Sequence, residues 1–368
     1  MVEKDIKKEI SDFKKLFEPY FEDLLTEFTE AVKSDKKPES FAIVVDQIKR
    51  LCMLPGAKRL RPFLVYLGYA LCSDISTTTL EQRESIMQAG AGLEIFHTSA
   101  LVYDDIIDKS DMRRGEPTIE AFYKAKFLAE GQVNYLHSAT SATILAGIMS
   151  HSLADRQINR IANDRVRAFY YEMQYELIGG QVDDTFGVGA SDLDTLESDS
   201  IIDMMTAKSG NYSIQKPLLL GLLLAGCPAE SDLYKSIETL GYKAGILFQL
   251  VDDIIGLYES TDAIGKSNTT DILEGKRTLL MARLYQVSDP KNRIRIKSIL
   301  GNPEASLEEI SWIKDQIKSS GTLDYYKQYA RGLAEQCVAI VKEFGSIDNI
   351  DECEVLISLI NYLLIRTK

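Results

Sequence analysis

The sequence has few of the residues that are typical of disulfide-bonded or nucleic-acid-binding proteins. Its 368 residues include only five cysteines, three histidines and one tryptophan, and 42 basic residues stand against 55 acidic ones, a net charge of −13. The odd number of cysteines, without a Cys-x-x-Cys pair, predicts reduced thiols and a cytoplasmic location. The acidic balance argues against nucleic acid as a partner, because phosphate contacts need a basic face.

Long apolar runs are also missing. The most apolar stretch, residues 217–228, is interrupted by two glycines and is too short to form a transmembrane segment. The amino end has no apolar signal core, so we expect no secretion and a soluble chain.

Apolar residues recur at helical spacing almost throughout the chain. Near the amino end they follow steps of three and four from Ile10 to Phe28, which predicts an amphipathic helix. Pro19 interrupts this stripe and predicts the first turn of a second helix. Period-two alternation is hard to find, and no fixed repeat or long Ser/Gly/Pro linker divides the chain. The sequence therefore predicts a single all-α domain over residues 1–368.

Two acidic pairs stand at the ends of apolar helical runs. Asp104 and Asp108 are four residues apart, so on a helix they share a face and repel each other. A divalent cation between them removes this repulsion, and Mg²⁺ takes one or two carboxylates together with substrate phosphates. Asp252 and Asp253 form the second pair. A solvated acidic helix end explains either pair alone, but two such pairs favour a metal site.

Basic residues lie close to both acidic segments. A guanidinium binds a phosphate through two donors, and a lysine supplies a point charge. Any one of these residues alone is more often a solvated surface residue, but the set, in an acidic chain, predicts a diphosphate held between metal ions and cations. The set comprises Lys58, Arg59, Arg61, Arg113, Arg114, Lys208, Lys266 and Lys276.

In this order and spacing, the segments resemble the trans-isoprenyl diphosphate synthase (polyprenyl synthetase) family, and among its members geranylgeranyl diphosphate synthases. The resemblance runs from about Gly56 to Thr278 and includes GAKRLRP, RRGEPT, GGQVDD, FQLVDD, IGKS and EGKRT. It implies an isoprenoid-synthase-type helical bundle around a central cavity, a homodimer, and three Mg²⁺ ions with the diphosphate bound. The implied reaction condenses isopentenyl diphosphate with dimethylallyl, geranyl or farnesyl diphosphate to a linear all-trans product.

The resemblance also implies roles for particular residues, carried over by position. Metal ligands would be Asp104, Asp108 and Asp252, which together with Lys208 and Gln249 form the catalytic set. The allylic diphosphate would contact Arg113, Lys208 and Lys266, and isopentenyl diphosphate would contact Lys58, Arg61, His97 and Arg114. Gln249 would lie beside the reacting carbons, with Ser209 and Lys276 completing the phosphate cage. The segment Ser260–Lys276 is a candidate lid that excludes water.

Three positions depart from the family pattern. Gly256 stands where many members have a third aspartate in the second motif, and Tyr103 stands where histidine is common. Ile148 replaces an aspartate, which predicts either altered polarity in the core or a subunit with reduced catalysis.

Product length should follow from the helix that carries the first motif. Ser99 and Ala100, five and four residues before Asp104, are small, and Phe96 lies one turn deeper on the same face. Phe96 therefore predicts a deep cavity floor and a twenty-carbon, geranylgeranyl product, with longer products open. The alternative is that Phe96 only packs against a neighbouring helix.

Other functions fit part of the pattern. A class I terpene cyclase ionises a diphosphate with a similar aspartate motif, but it needs no cations for a second diphosphate. A non-catalytic partner of an active synthase stays open because of Gly256 and Ile148. A helical scaffold without ligands leaves the carboxylate and cation sets unexplained.

Overall fold

Helices make up nearly all of the regular structure in a computed structural model, which describes residues 4–34, 38–258, 269–345 and 349–366. The predicted all-α class is confirmed. The helices are α1 (Ile6–Ser34), α2 (Glu39–Cys52), α3 (Leu60–Ala70), α4 (Leu80–Ile107), α5 (Ile119–Ala129), α6 (Tyr135–Asn159), α7 (Asp164–Phe186), α8 (Ser198–Met205), a π-helix (Thr206–Gln215), α9 (Lys216–Leu224), α10 (Asp232–Tyr258), α11 (Thr270–Leu273), α12 (Leu279–Val287), α13 (Pro290–Ile299), α14 (Leu307–Ser319), α15 (Thr322–Phe344) and α16 (Ile350–Ile365), with short 3₁₀ turns at Ile75–Thr77 and Val188–Ala190. Within the described residues, no helix is long and apolar enough to cross a membrane.

Pro19 does not end the first helix, and the predicted second helix start at this residue is wrong. Helix α1 continues through Pro19 to Ser34. Phe17 and Phe21, on either side of the proline, are fully buried and their rings stack 5.3 Å apart. Burial of two aromatic side chains outweighs the loss of one backbone hydrogen bond, so tertiary packing overrides the local effect of proline.

Helix α4 is the central element that carries the first acidic motif. It begins at a capping box, in which the Gln82 backbone N–H donates to the Thr79 hydroxyl (3.2 Å) and the Thr79 N–H donates to the Gln82 side chain (2.8 Å). It ends at Ile107, with Asp108 as its C-cap. The chain then turns into a small antiparallel hairpin, β1 (Met112–Arg113) and β2 (Glu116–Pro117).

Helix α10, which carries the second acidic motif, packs against the π-helix and α15. Two glycines allow the close approach between α10 and the π-helix. A Cβ atom on Gly245 would lie 2.7 Å from the backbone of Gly210, and a Cβ atom on Gly210 would lie 2.9 Å from the backbone of Gly245. A side chain at either position would push the two elements apart, so both glycines fix the distance between the second motif and the residues of the π-helix.

Candidate active site

The first acidic motif is held by the hairpin that follows it. Arg113 on β1 donates through Nε and Nη2 to Asp105 Oδ1, at 2.8 and 2.6 Å, and through Nη2 to Asp104 Oδ2 at 3.2 Å. The Asp105 side chain is only 2% exposed, whereas that of Asp104 is 25% exposed. Arg113 therefore neutralises the buried carboxylate of Asp105, while Asp104 remains accessible from the site.

Lys208 brings a second cation to Asp104. Its Nζ lies 2.6 Å from Asp184 Oδ2 on α7 and 3.9 Å from Asp104 Oδ1. Lys208 and the half-buried Ser209 belong to the π-helix, a rare conformation that is frequent at functional sites. Gly180 lets α7 approach this helix, because a Cβ there would lie 2.3 Å from the Lys208 backbone nitrogen.

Arg61 on α3 is a cation that lies beside α4 and contacts two uncharged residues of the π-helix. Arg61 donates to the Ser213 hydroxyl at 2.7 Å, and its guanidinium stacks 4.1 Å from the centre of the Tyr212 ring. The Tyr212 hydroxyl contacts His97 Nδ1. Burial, reinforced by the charges of Arg61 and Arg114, holds the pKa of His97 well below its usual value. His97 is thus a neutral imidazole beside a cluster of cations.

Arg59 has a different role from its neighbours. Its buried guanidinium donates to Glu94 at 2.7 Å and to Glu18 at 2.9 Å, and it lies 4.8 Å from the centre of the Phe21 ring. All of its charge is directed into the protein. Arg59 therefore stabilises the packing of α1 on α4, whereas the side chain of the neighbouring Lys58 is exposed.

The second acidic motif has a cation that the sequence did not reveal. Arg366, directly after α16, donates through Nη2 to Asp252 Oδ1 at 2.8 Å and to the Phe248 carbonyl at 2.7 Å. Desolvation of the half-buried Asp252 carboxyl raises its pKa, and the charges of Arg366, Lys58 and Arg61 oppose that rise. No motif or spacing marks Arg366, because it is 114 residues from Asp252 in the sequence.

Asp253, the other carboxyl of the second pair, is also half-buried. Burial, followed by the charge of Asp271, raises the pKa of Asp253 to about 8, so this carboxyl is mostly protonated at neutral pH. Gln249, one turn earlier on α10, donates to Asp253 Oδ1 at 2.8 Å. This bond fixes the side chain of Gln249 along α10.

Lys276 belongs to a cluster that joins the two motifs. Its Nζ lies 2.9 Å from Asp271 and 3.1 Å from Glu274. Burial lowers the pKa of Lys276, but the charges of Asp271, Asp108 and Glu274 outweigh this effect and raise it well above the usual value. Asp108 of the first motif therefore faces the segment that follows the second.

The same cluster borders Gly256, which stands where the family pattern has an aspartate. A Cβ on Gly256 would lie 3.0 Å from Asp271 Oδ2. Asp271 thus places a carboxylate against the position where the family pattern has an acidic side chain. Lys266 and residues 260–268 of the candidate lid lie outside the described residues.

The residues predicted to set product length lie at two different levels of burial. Phe96 is buried, and its ring meets the rings of His151, Tyr170 and Tyr212 edge to face at 5.4, 5.9 and 6.0 Å. Ser99 is also buried and donates to the Gly147 carbonyl of α6 at 3.2 Å. Ala100 is half-buried. Ser99 therefore faces α6, and Ala100 is the more accessible of the two small residues.

Ile148 does not alter the polarity of the core, and that part of the prediction is wrong. Its side chain is 51% exposed on the outward face of α6. Tyr103, which also departs from the family pattern, packs closely against α6 at Gly147. A Cβ atom on Gly147 would lie 2.7 Å from the Tyr103 ring. Both departures thus change contacts of α6 rather than the acidic motifs.

The two acidic motifs do not form a closed set of metal ligands in the part of the chain that the structure describes. Within the described residues, no group of three His, Cys, Asp or Glu side chains is close enough to enclose an ion. Mg²⁺ fits such a site, because it binds one or two carboxylates, keeps waters and takes further oxygens from a diphosphate.

Comparison with known proteins places this site in a family. The profile of the polyprenyl synthetase family matches residues 44–317. A geranylfarnesyl diphosphate synthase of Aeropyrum pernix is 29% identical over 85% of this chain and 91% of its own, and a geranylgeranyl diphosphate synthase of Sulfolobus acidocaldarius is 30% identical over 76% and 77%. The crystal structure of a geranylgeranyl pyrophosphate synthase from Corynebacterium glutamicum, complexed with isoprenyl diphosphate and magnesium, has a TM-score of 0.85 at 28% identity and covers 95% of this chain and 98% of its own.

The chain belongs to the polyprenyl synthetase family. It is a prenyltransferase of the prenyl diphosphate synthase class.

Proposed function

We propose that this enzyme condenses isopentenyl diphosphate with an allylic diphosphate in an Mg²⁺-dependent reaction that gives geranylgeranyl diphosphate. The observation that carries the proposal is the division of the cations into two groups. Arg113 and Lys208 lie at Asp104, whereas Arg61 stacks on Tyr212, whose hydroxyl contacts His97, two turns before Asp104 on α4. Two groups of cations suit two diphosphates, and a cyclase, which has one, needs only the first.

Each residue of the proposed site has a chemical task. Asp104, Asp108 and Asp252 would hold three Mg²⁺ ions together with the substrate, and the bound metal would stabilise charge on the departing diphosphate. Arg113, Lys208, Lys266, Ser209 and Lys276 would bind the allylic diphosphate, and Lys58, Arg61, His97 and Arg114 would bind isopentenyl diphosphate. Gln249 would border the reacting carbons.

The reaction needs no nucleophile from the protein. The allylic C–O bond breaks as the cations stabilise the leaving diphosphate, and the double bond of isopentenyl diphosphate attacks the resulting carbocation. A proton is then lost from the adduct to the diphosphate that has left. The cationic groups bind and orient both substrates, and the apolar core that surrounds Phe96 keeps water away from the carbocation.

The twenty-carbon product follows from the depth of Phe96. This residue lies eight positions before Asp104, about 12 Å along the helix axis at 1.5 Å per residue. Ala100, halfway along that distance, is too small to block the cavity. The relatives named geranylgeranyl and geranylfarnesyl diphosphate synthase are consistent with a floor at this depth.

The outward face of α6 supports the proposed homodimer. Leu136, Ile144, Leu145 and Ile148 are 41–57% exposed on this helix. Packing against the same face of a second copy would remove this apolar surface from water. Ile148 is better suited to such a contact than the aspartate of the family pattern. We further propose one domain for the whole chain, and the cytoplasmic location remains a prediction.

The test is product analysis by mass spectrometry after incubation of the purified chain with isopentenyl diphosphate, Mg²⁺ and each allylic diphosphate in turn. We expect geranylgeranyl diphosphate, and a loss of roughly a hundred-fold or more in turnover for Asp104→Asn and Asp252→Asn. Asp111→Asn is the matched control, because this exposed aspartate lies near the first motif but pairs with Lys124. A cyclic hydrocarbon as product would identify a cyclase, and no turnover by the chain alone would identify a non-catalytic subunit.

A further inference from the structure

Cys72 and Cys227 follow two helices that run side by side in the same direction. Cys72 comes two residues after the end of α3, and Cys227 comes three residues after the end of α9. At the other end of this helix pair, Arg61 in the first turn of α3 donates to the hydroxyl of Ser213, shortly before α9 begins. Since α3 and α9 are parallel, the two cysteines lie at the same end of the pair.

Glycines bring α3 and α9 into backbone contact one to two turns before the cysteines. A Cβ atom on Gly68 would lie 2.9 Å from the carbonyl carbon of Leu218, and a Cβ atom on Gly221 would lie 2.6 Å from the backbone nitrogen of Tyr69. Any side chain at these two positions would separate the helices. The glycines therefore keep the two helix ends, and the residues that follow them, close together.

The backbone of each cysteine is fixed to the end of its own helix. The Cys72 N–H donates to the Tyr69 carbonyl at 3.1 Å, and the Cys227 N–H donates to the Leu222 carbonyl at 2.9 Å. The second of these bonds closes the end of α9 around Gly226, whose φ is 79°. Both thiols are free, and a hydrogen bond joins them. A disulfide requires side chains that already meet, which this pair provides.

The two thiols differ in exposure. Cys72 is exposed, so a small oxidant can reach it, whereas Cys227 is 3% exposed and its Sγ lies 3.3 Å from the Ser231 hydroxyl. Partial burial, followed by the proximity of Cys227, raises the pKa of Cys72 to about 11. Because the thiolate is the form that reacts, the pair responds slowly at neutral pH, to sustained rather than brief oxidation.

We propose that Cys72 and Cys227 form a reversible disulfide that joins the ends of α3 and α9 when a small-molecule disulfide such as oxidised glutathione accumulates. The Cys72 thiolate attacks one sulfur of oxidised glutathione, which gives a mixed disulfide and releases one glutathione thiolate. The Cys227 thiolate then attacks the Cys72 sulfur and expels the second glutathione thiolate. Two protein thiols are oxidised, the small disulfide is reduced to two thiols, and the two protons pass to the released thiolates.

The bond would stabilise the part of the chain that carries most of the candidate site. Cys72 and Cys227 are 155 residues apart in the sequence, and the segment between them includes the first acidic motif and the π-helix. A cross-link that closes so long a loop removes much of the freedom of the unfolded chain, and for a chain of this length it should raise the melting temperature by roughly 5 °C. In a reducing compartment the pair stays as two thiols.

The test is incubation of the full chain with oxidised glutathione, followed by mass spectrometry of its peptides without reduction. We expect a cross-linked peptide that contains Cys72 and Cys227, and a melting temperature that rises by roughly 5 °C and returns to its starting value after dithiothreitol. None of these readouts depends on turnover, so the result is independent of the proposed function.

Single serine variants identify the roles of the two cysteines. Cys227→Ser should keep a stable glutathione adduct on Cys72, because no second thiol is present to displace it, and Cys72→Ser should give neither adduct nor cross-link. Both should lose the difference in melting temperature between the oxidised and the reduced protein. Cys353→Ser is the matched control, since this cysteine is buried on α16, away from the pair in the sequence, and the difference should remain.

Three outcomes would overturn the proposal. The first is a glutathione adduct on Cys72 that persists in the unmodified chain as it does in Cys227→Ser, since the two sulfurs then fail to meet. The second is a disulfide between the Cys72 residues of two copies, seen as a covalent dimer on a non-reducing gel. The third is no modification of either cysteine in the folded protein after a day in oxidised glutathione.

Discussion

Replacement of Phe96 by alanine tests whether this side chain is the floor of the substrate cavity. The ring is 3% exposed and lies where α4, α6, α7 and the π-helix meet, in contact with His151, Tyr170 and Tyr212. If the growing chain runs along α4 from Asp104, it reaches Phe96 after about 12 Å. Removal of the ring then opens the space beyond it.

The expected effects on stability and on product length are separate. Loss of a buried phenylalanine ring costs roughly 3–5 kcal/mol of unfolding free energy, depending on how far the site collapses. The remaining cavity would admit further hydrocarbon, so products at least one five-carbon unit longer than those of the unmodified enzyme should appear. Urea unfolding gives the first quantity, and mass spectrometry of the prenyl diphosphates gives the second.

A neighbouring residue supplies the matched control. Ile95 is also fully buried on α4, but it is rotated by about 100° from Phe96 and points to a different part of the core. Ile95→Ala should lose roughly 2–5 kcal/mol of stability without a change in product length. If the folded Phe96→Ala enzyme gave the same products as the unmodified one, Phe96 would only pack between helices and the floor would lie elsewhere.

Three further substitutions test other parts of the site. Ala100→Phe should shorten the main product, because the growing chain proposed above would pass this half-buried position on its way to Phe96, whereas Ser99→Phe should mainly lower the melting temperature, because Ser99 is packed against α6. Gly256→Asp should reduce the free energy of unfolding by roughly 0.5–3 kcal/mol, because the new carboxylate would meet that of Asp271. Adding Asp271→Asn to the same chain should restore part of the loss. Equal melting temperatures for Gly256→Asp and the unmodified chain would contradict this prediction. Arg59→Met should lower the free energy of unfolding, measured in urea, by roughly 3–5 kcal/mol, because Glu18 and Glu94 lose their buried partner. A loss below about 1 kcal/mol would exclude the structural role of this arginine.

Local sequence signals were sufficient for the long helices. Apolar residues at helical spacing predict a helix from Glu81 to Ile107. This helix is α4, which starts one residue earlier, at Leu80. Such a helix can be recognised because its apolar spacing and its caps lie within the same short window. Pro19 was misread because the burial of Phe17 and Phe21 depends on helices that are distant in sequence.

The π-helix could not be read from periodicity. The sequence predicts an ordinary helix from Tyr212 to Ala225, whereas the structure has a π-helix up to Gln215 and an α-helix from Lys216. The wider turns of a π-helix depend on contacts with other parts of the fold rather than on local sequence. Here those contacts are the close approaches of Gly210 to α10 and of Lys208 to Gly180 on α7. The motifs identified Lys208 as a site residue, but only the structure shows how it reaches Asp104.

Arg366 was missed for a related reason. The pairing of this arginine with Asp252 requires α16 to pack against α10, a contact between segments far apart in sequence. The part of the chain beyond Met281 carries no recognisable motif, so its sequence predicts only helical packing and dimer contacts. A basic residue after an apolar helix is common, so its sequence context carried no signal.

The pairing of carboxylates with cations offers a way for a chain of net charge −13 to bind the two anionic substrates proposed above. Asp104 is paired with Lys208 and Arg113, and Asp252 with Arg366. Under the proposed function, a metal and a diphosphate that bind together would let each carboxylate exchange a side-chain cation for the metal, and each freed cation would take phosphate oxygens in its place. Either ligand alone would leave one half of these partners without a counter-charge, at a cost in free energy. We therefore expect the binding of metal and of diphosphate to be coupled, with each raising the affinity for the other by the same factor.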